Sequence, residues 1–307
     1  MKVCYIILFI FVSCTQAPVI RRGSGGYQSY NKTPVNNNAF ASIKKKVALL
    51  ELFNESPYGK EDLAIHTTQE LKKELSRTRD YVVDNESGHL FGTSKEVYSG
   101  GGMKLAQLSR KAKLSGINLV IYGRITMARV RQKKDEIGFL RKVKSYSELI
   151  LELRVFDVNA NKEIYAEKIN GNVNDSNMRF FMSDRKEGLI YKRKLMRYSA
   201  RVAVKRFLPK LAKLGAKLDW TGRVAKIIGS KIYINAGRKS GIQTGDVLKV
   251  LTEGQEVFDP ESGALLGVSK GEVKGTLEIV DYFGPDGAVA ILHSGGSVTE
   301  GDFVQLY

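Results

Sequence analysis

Apolar residues recur with two different periods in the first two thirds of the chain. The run Val47–Phe53 is interrupted only by Glu51, which is typical of a strand buried on both faces. Between Lys60 and Arg77, residues that could face a core are spaced four apart, at Leu63, Thr67, Leu71 and Leu75. This spacing predicts an amphipathic helix. The first two elements are therefore a strand and a helix.

Similar patterns continue to residue 214. We predict a strand at Tyr81–Asp84, a helix after a mobile glycine loop at Ser99–Gly102, a strand at 117–131, its antiparallel partner at Ser147–Val158, a strand at Glu163–Ile169 and a basic helix at about 187–214. Residues 132–144 are expected to form an exposed hairpin tip. The order β-α-β-α-β-β-β-α predicts a mixed sheet with packed helices.

From Trp220 onward the pattern changes to short strands separated by Gly-rich turns. Gly229-Ser230 predicts a two-residue hairpin turn, and Asp, Pro and Gly mark further turns at 259–263 and 285–287. Such strands predict a small all-β barrel or sandwich. The expected fold class is therefore α+β, with a mixed-sheet domain at 44–214 and a β domain at 217–307.

Near the N-terminus a single charge, Lys2, is followed by the uncharged run Val3–Val12 and then by Ser13-Cys14. This arrangement is typical of a secretory signal and is too short for a membrane-spanning helix. It resembles the lipobox of bacterial lipoproteins, which implies cleavage before Cys14 and lipidation of its sulfur. Residues 1–13 would then be the signal peptide and 14–43 a flexible tether. An ordinary signal peptide cut slightly later, or an N-terminal core strand, is the alternative.

Charge is distributed unevenly along the chain. The segment from Lys217 to the end carries 9 Lys and Arg against 12 Asp and Glu, a net charge of −3, and the remainder has a net charge of +20. The long helix before Gly215 is expected to pack on the sheet with a solvated basic face. Basic residues also flank the predicted hairpin tip, and we predict that they bind a partner: Arg129, Arg131, Lys133, Lys134, Arg141, Lys142 and Lys144. Acidic proteins, anionic lipid and nucleic acid are the candidate partners.

Two segments resemble known families. "VALLELFNES", "GINLVIYGRIT" and "LELRVFDVNANKEIYAEKINGNV" make 44–214 similar to the TolB N-terminal domain, the curli-secretion lipoprotein CsgG and the middle domain of flagellar assembly protein T. "INAGRKSGIQTGDVLKV", "FDPESGALLG" and "GSVTEGDFV" resemble the C-terminal domain of flagellar assembly protein T. The resemblance implies an envelope lipoprotein related to that family. Only a tether precedes Lys44, so the family's N-terminal domain is expected to be missing.

The sequence offers little that is typical of catalysis. His66, His89 and His293 do not have the spacing of metal ligands. Gly267–Gly271 matches G-x-S-x-G literally, but it lies among predicted short strands instead of at a strand-to-helix turn. Charges within 127–146 fall on both alternating faces, which argues against the lipid-facing strands of a secretion pore. We therefore expect no enzyme activity, no cofactor and no metal.

These observations lead to a functional hypothesis. The chain is interpreted as a lipoprotein anchored to the outer membrane through Cys14. The residue after the cysteine is Thr15 and not Asp, and resemblance to Gram-negative lipoproteins then implies the outer membrane as the destination. The chain would face the periplasm and act in an envelope protein complex, with the flagellar basal body as the main candidate. Self-association into a homo-oligomer is left open. The alternatives are a curli-type secretion accessory, a lipoprotein that activates cell-wall synthases, and a nucleic-acid-binding protein.

Overall fold

The computed structural model describes residues 43–84, 90–134, 143–174 and 188–307. In its first part the strands are β1 (Lys45–Leu49), β2 (Phe53–Asn54), β3 (Tyr81–Val83), β4 (Leu119–Lys134), β5 (Val143–Asp157) and β6 (Lys162–Asn174). The helices of the described ranges are α1 (Lys60–Ser76), α2 (Ser94–Leu114) and α3 (Leu189–Gly215). The predicted order is confirmed except at its start, where the single strand expected at Val47–Phe53 is divided into β1 and β2.

The six strands form one mixed sheet with the order β3-β1-β4-β5-β6, and β2 pairs with β4. β3, β1 and β4 run parallel, whereas β4, β5 and β6 are antiparallel neighbours. This is the arrangement expected when helices connect the first strands and short turns connect the later ones. Long β4 and β5 extend the sheet well beyond the shorter parallel strands.

Helices α1 and α3 cover one face of this sheet. Alternate residues of β5 point into the core beneath them, namely Leu149, Leu151, Leu153 and Val155. Phe207 and Leu211 of α3 and Leu71 of α1 complete that core. Because successive side chains of a strand point to opposite faces, the residues between these leucines lie on the other side of the sheet.

Helix α2 packs on the opposite face, over β1 and the start of β4. Leu108 and Ala112 of α2 contact Val120 and Tyr122 of β4 in a second apolar cluster. The expectation of a mobile glycine loop before this helix is wrong. The helical segment already begins at Ser94, and the glycines lie inside it, with Gly101 (φ 56°, ψ −144°) forming a kink. Glycine adopts this backbone conformation without the steric cost that a Cβ brings.

The β4–β5 hairpin is longer than predicted. β4 continues to Lys134 and β5 begins at Val143, so Lys133, Lys134 and Lys144 belong to strands and not to a loop. A register shift between Ile125 and Met127 adds one residue to β4 relative to β5. Such a β-bulge reverses which face the following side chains occupy.

The C-terminal strands form a closed barrel, which decides between the barrel and the sandwich expected from the sequence. Its strands are β7 (Gly222–Ile228), β8 (Lys231–Ile234), β9 (Val247–Leu251), β12 (Val273–Phe283), β13 (Gly287–Gly295) and β14 (Phe303–Leu306). β10 (Glu256–Phe258) and β11 (Leu265–Val268) form a separate hairpin. Gly229 has a φ of 61° in the turn between β7 and β8, as the predicted hairpin turn requires.

Hydrogen bonds join the mixed sheet to the barrel. The side chain of Asn118 accepts from the Lys46 backbone N–H (2.8 Å) and donates to the carbonyl oxygen (2.8 Å) and hydroxyl (2.9 Å) of Thr221. Lys46 Nζ donates to the Asn235 carbonyl oxygen at 2.8 Å. Ile43, which precedes β1, packs in the barrel core. The mixed sheet and the barrel together confirm the α+β fold class. The contacts just described connect residues before the predicted boundary at 215–217 with residues after it.

Candidate functional site

The candidate site is the part of the sheet that faces away from α1 and α3 and lies beyond α2. We call it the open sheet face, and it consists of Arg124, Met127, Arg129, Arg131 and Lys133 of β4, and Lys144, Tyr146, Glu148, Ile150, Glu152 and Arg154 of β5. The register pairs these residues across the two strands, for example Arg129 with Glu148 and Lys133 with Lys144. Residues directly opposite one another in antiparallel strands project to the same side. Most of these side chains are at least partly exposed.

Four of the predicted partner-binding residues come together on this face. Arg129 forms an ion pair with Glu148, and it is exposed together with Arg131, Lys133 and Lys144. The expectation that the hairpin charges lie on both faces stays a prediction, because Arg141, Lys142 and the side chain of Lys134 are outside what the structure describes. The bulge after Ile125 decides which face Arg129, Arg131 and Lys133 share, because it places Ala128 in the core and turns Arg129 outward. The role predicted for these residues stays a prediction.

The side chains of the other predicted site residues are not described by the structure. Arg141, Lys142 and the lipidation site Cys14 lie outside the described residues. Lys134 is the last residue of β4. The basic surface of the hairpin therefore consists of the outward residues Arg129, Arg131 and Lys133 of β4 and Lys144 of β5.

A charged cluster that the sequence did not indicate occupies the other end of the open sheet face. Glu152 is buried and accepts hydrogen bonds from Arg124 Nε (3.1 Å) and from Arg154 Nε (3.0 Å) and Nη2 (2.9 Å). Arg124 also donates to Glu55 at 2.9 Å. The Tyr98 ring of α2 lies 4.6 Å from the Arg124 guanidinium carbon and 5.2 Å from that of Arg154. Both cations are thus held by a carboxylate and an aromatic ring.

The pKa values in this cluster follow from its geometry. Burial alone would raise the pKa of Glu152, but hydrogen bonds and charge from Arg154 and Arg124 outweigh it, so the pKa lies below its usual value. Burial and the nearby Glu152 carboxylate raise the pKa of Tyr98 to about 12. Burial, together with a hydrogen bond to Glu163, also raises the pKa of Tyr122. At neutral pH the cluster therefore holds ionised Glu and Arg beside neutral tyrosines, an arrangement that fixes side chains in place.

The remaining chemical motifs are dispersed. His66 lies in α1 and His293 in β13, while His89 is outside the described residues. Within 188–307, Gly267 and Val268 end β11 and no helix follows before β12, as expected for a chance G-x-S-x-G match. Among the side chains that the structure places, no three His, Cys, Asp or Glu come together as metal ligands would. None of the helices in the described ranges is long and apolar enough to cross a bilayer.

Comparison with known proteins identifies no family. No protein-family model and no curated protein matches the chain. Solved structures similar to it include a neuraminyllactose-binding hemagglutinin homolog from Helicobacter pylori, with 16% identity over 58% of this chain and 91% of that one, at a TM-score of 0.38.

Protein CT253 from Chlamydia trachomatis is 16% identical over 56% of this chain and 96% of its own, with a TM-score of 0.35. Lipoprotein GNA1162 from Neisseria meningitidis is 13% identical over 57% and 99%, with a TM-score of 0.30. These values are too low to transfer a function or a partner to this chain.

Proposed function

We propose that this chain is a non-enzymatic lipoprotein, anchored in the outer membrane through Cys14 and facing the periplasm, that helps to assemble a flagellar or related envelope apparatus. The observation that carries the proposal is the open sheet face, where basic side chains of the β4–β5 hairpin adjoin the ordered cluster around Glu152. The lipobox-like start of the chain and its resemblance to flagellar assembly protein T support the location and the apparatus.

The open sheet face has the composition of a protein-binding surface. Met127 and Ile150 are partly exposed near its centre, and charged residues surround them. Interfaces between proteins commonly combine an apolar centre with a polar rim. Arg131 and Lys133 are exposed, and no ion pair holds either side chain among the described residues. Such charges mainly steer an acidic partner towards the surface.

A matched pair of charge reversals tests the basic surface. In Arg131→Glu/Lys133→Glu we expect normal folding, because both side chains are exposed on the hairpin, but impaired assembly and motility. The control is Lys231→Glu/Lys239→Glu, which makes the same change in net charge on the barrel. Equal motility of the two variants would exclude the hairpin from the mechanism.

Anchoring and the identity of the apparatus need separate tests. Labelling with a fatty acid should mark the wild-type chain and not Cys14→Ser, and equal labelling would contradict the proposed anchor. A tagged chain should recover flagellar basal bodies. Recovery of cell-wall synthases instead would favour the alternative lipoprotein role.

A further inference from the structure

The outer face of α3 is a second basic surface, on the side of the molecule opposite the open sheet face. The helix contains nine Lys and Arg and no Asp or Glu. Positions four apart lie on one side of a helix, and one such row consists of Leu189, Arg193, Arg197, Arg201 and Lys205. This row, together with Ile190, is called the α3 stripe below.

Most of the stripe is available to a ligand. Arg201 is held by Glu70 of α1 at 2.7 Å. Arg193, Arg197 and Lys205 are exposed, and none of them has an ion-pair partner in the ranges that the structure describes. A row of like charges on one helix face lowers helix stability slightly, so folding alone does not account for it.

The stripe begins with two exposed aliphatic side chains. Leu189 is 82% exposed and Ile190 is 69% exposed. Beside them, a groove of about 370 Å³ runs between α3 and the start of α1. Leu189 and Met196 contribute apolar surface to this groove. Lys60, Arg193 and Arg197 contribute positive charge, which the single carboxylate of Asp62 offsets only in part. Cationic groups and aliphatic groups are therefore presented side by side.

We infer that the α3 stripe and its groove are a docking surface for a bilayer that contains anionic phospholipid. Phosphate headgroups lie directly above acyl chains in a bilayer, so a bound surface element meets negative charge and apolar material within a few ångströms. The stripe offers the complementary pair. A nucleic acid or a purely acidic protein surface would match the arginines and leave Leu189 and Ile190 in water.

This inference rests in part on the proposed function, because an anchor at Cys14 would keep the α3 stripe close to a membrane. The anchor supplies proximity and the stripe would supply orientation. With α3 against the bilayer, the open sheet face would point away from the lipid and towards a partner. Membrane and partner could then be bound together, since they contact opposite sides of one sheet.

Vesicle sedimentation tests the inference without depending on the anchor. The full chain carrying Cys14→Ser is compared on phosphatidylcholine vesicles and on vesicles that also contain phosphatidylglycerol. Residues 1–43 contain Lys2, Arg21, Arg22 and Lys32 and no Asp or Glu, so this segment adds to any preference for the anionic vesicles. The share of the α3 stripe is therefore read from variants that change only α3. We expect clear preference for the anionic vesicles, and Arg193→Glu/Arg197→Glu should weaken that binding about tenfold or more.

Three further variants keep the result interpretable. Arg193→Lys/Arg197→Lys retains the charge and should bind like the parent chain. Lys231→Glu/Lys239→Glu changes net charge equally on the barrel and should also bind normally. Leu189→Ser/Ile190→Ser keeps every charge but should weaken anionic-vesicle binding, because apolar contact with the acyl region is lost.

The inference is overturned if the Arg193/Arg197 reversal binds anionic vesicles as well as the barrel control does. Displacement by inorganic phosphate at matched ionic strength would instead identify a small-anion site, and tighter binding to duplex DNA than to vesicles would identify a nucleic-acid surface. Either outcome contradicts a lipid surface. Fatty-acid labelling and motility test the proposed function separately, so the two failures can be told apart.

Discussion

The two faces of the mixed sheet are built from the same strands and differ in what covers them. On β5, Leu151 and Leu153 lie beneath α1 and α3 and are fully buried. Between them, Glu152 points to the opposite face and forms ion pairs with arginines. One face is therefore closed by α1 and α3 along β5, whereas α2 covers the other face only over β1 and the start of β4. Beyond α2, that face is ordered mainly by charge and hydrogen bonds.

The contrast separates stability from recognition. Burial of apolar area is the main favourable contribution to folding, and the larger apolar cluster of the mixed sheet lies beneath α1 and α3. Exposed ion pairs contribute little, so the outer part of the open sheet face can change its charge without unfolding the protein. We expect substitutions on the two faces to have opposite effects, large on stability for one and large on binding for the other.

Adjacent residues of β5 give the largest expected difference. Leu151→Ala should destabilise the protein by about 3–4 kcal/mol, because it removes a fully buried side chain and leaves a cavity. Ile150→Ala, on the partly exposed open sheet face, should cost about 1 kcal/mol. Urea unfolding measures both. Similar losses would show that the open sheet face contributes to the core as strongly as the covered one.

Gly171 of β6 tests how closely α3 approaches the sheet. A Cβ at this position would lie 2.1 Å from the Ser199 carbonyl oxygen of α3, so helix and strand would have to move apart. Gly171→Ala should destabilise by about 2–3 kcal/mol. Gly267→Ala is the control, because its Cβ would meet nothing within 4 Å. Equal thermal unfolding temperatures would mean that α3 can shift without cost.

Glu152 tests whether charge organises the open sheet face. Glu152→Ala leaves Arg124 and Arg154 without their shared carboxylate and should cost about 2 kcal/mol. Glu148→Ala removes only the more exposed pair with Arg129 and should cost about 0.5 kcal/mol. If denaturant unfolding shows the reverse order, the cluster around Glu152 is not the organising element.

His66 gives the smallest expected effect, and it concerns the helical layer. Burial, followed by the charge of Arg197, lowers the pKa of His66, with Glu70 acting in the opposite direction and Arg201 and Lys73 adding to the lowering. The unfolded chain therefore binds the proton more readily, and stability should fall as the pH drops below about 6.5.

Replacing this residue by glutamine should flatten that part of the stability profile. The measurement is the unfolding free energy of wild type and His66→Gln between neutral and mildly acidic pH. Parallel profiles would show that His66 is not responsible for the slope.

The local pattern of apolar residues was sufficient to predict which helices and strands form. It was not sufficient to predict where they end or which strands pair. The four-residue repeat of α1 predicted that helix within one residue at its C-terminus. The glycines of α2 were misleading, because their conformational freedom also permits a kinked helix. The closed barrel depends on pairing between β7 and β14, strands far apart in sequence, and no local pattern specifies such a contact.

The candidate site could be predicted only in part, because some of its contacts join segments that are distant in sequence. The basic residues around the hairpin were visible as a charge cluster, but the Glu152 cluster joins β4, β5 and α2 and could not be read from spacing along one strand. The domain boundary at 215–217 stays a prediction. Since Ile43 packs in the barrel core, a fragment that begins at Lys217 would lose that side chain.

The bulge in β4 has a consequence for how related chains should be aligned. The bulge absorbs one extra residue, because Ile125 pairs with Leu151 and Met127 already pairs with Ile150. Deleting Thr126 would therefore leave Arg129, Arg131 and Lys133 opposite the same β5 residues and on the open sheet face. Regular pairing that kept Thr126, opposite Ile150, would instead turn these cations towards α3, where their charges would lack water. A homologue with a one-residue gap between Ile125 and Met127 should thus keep the same outward cations, whereas one that keeps the residue must also keep the bulge.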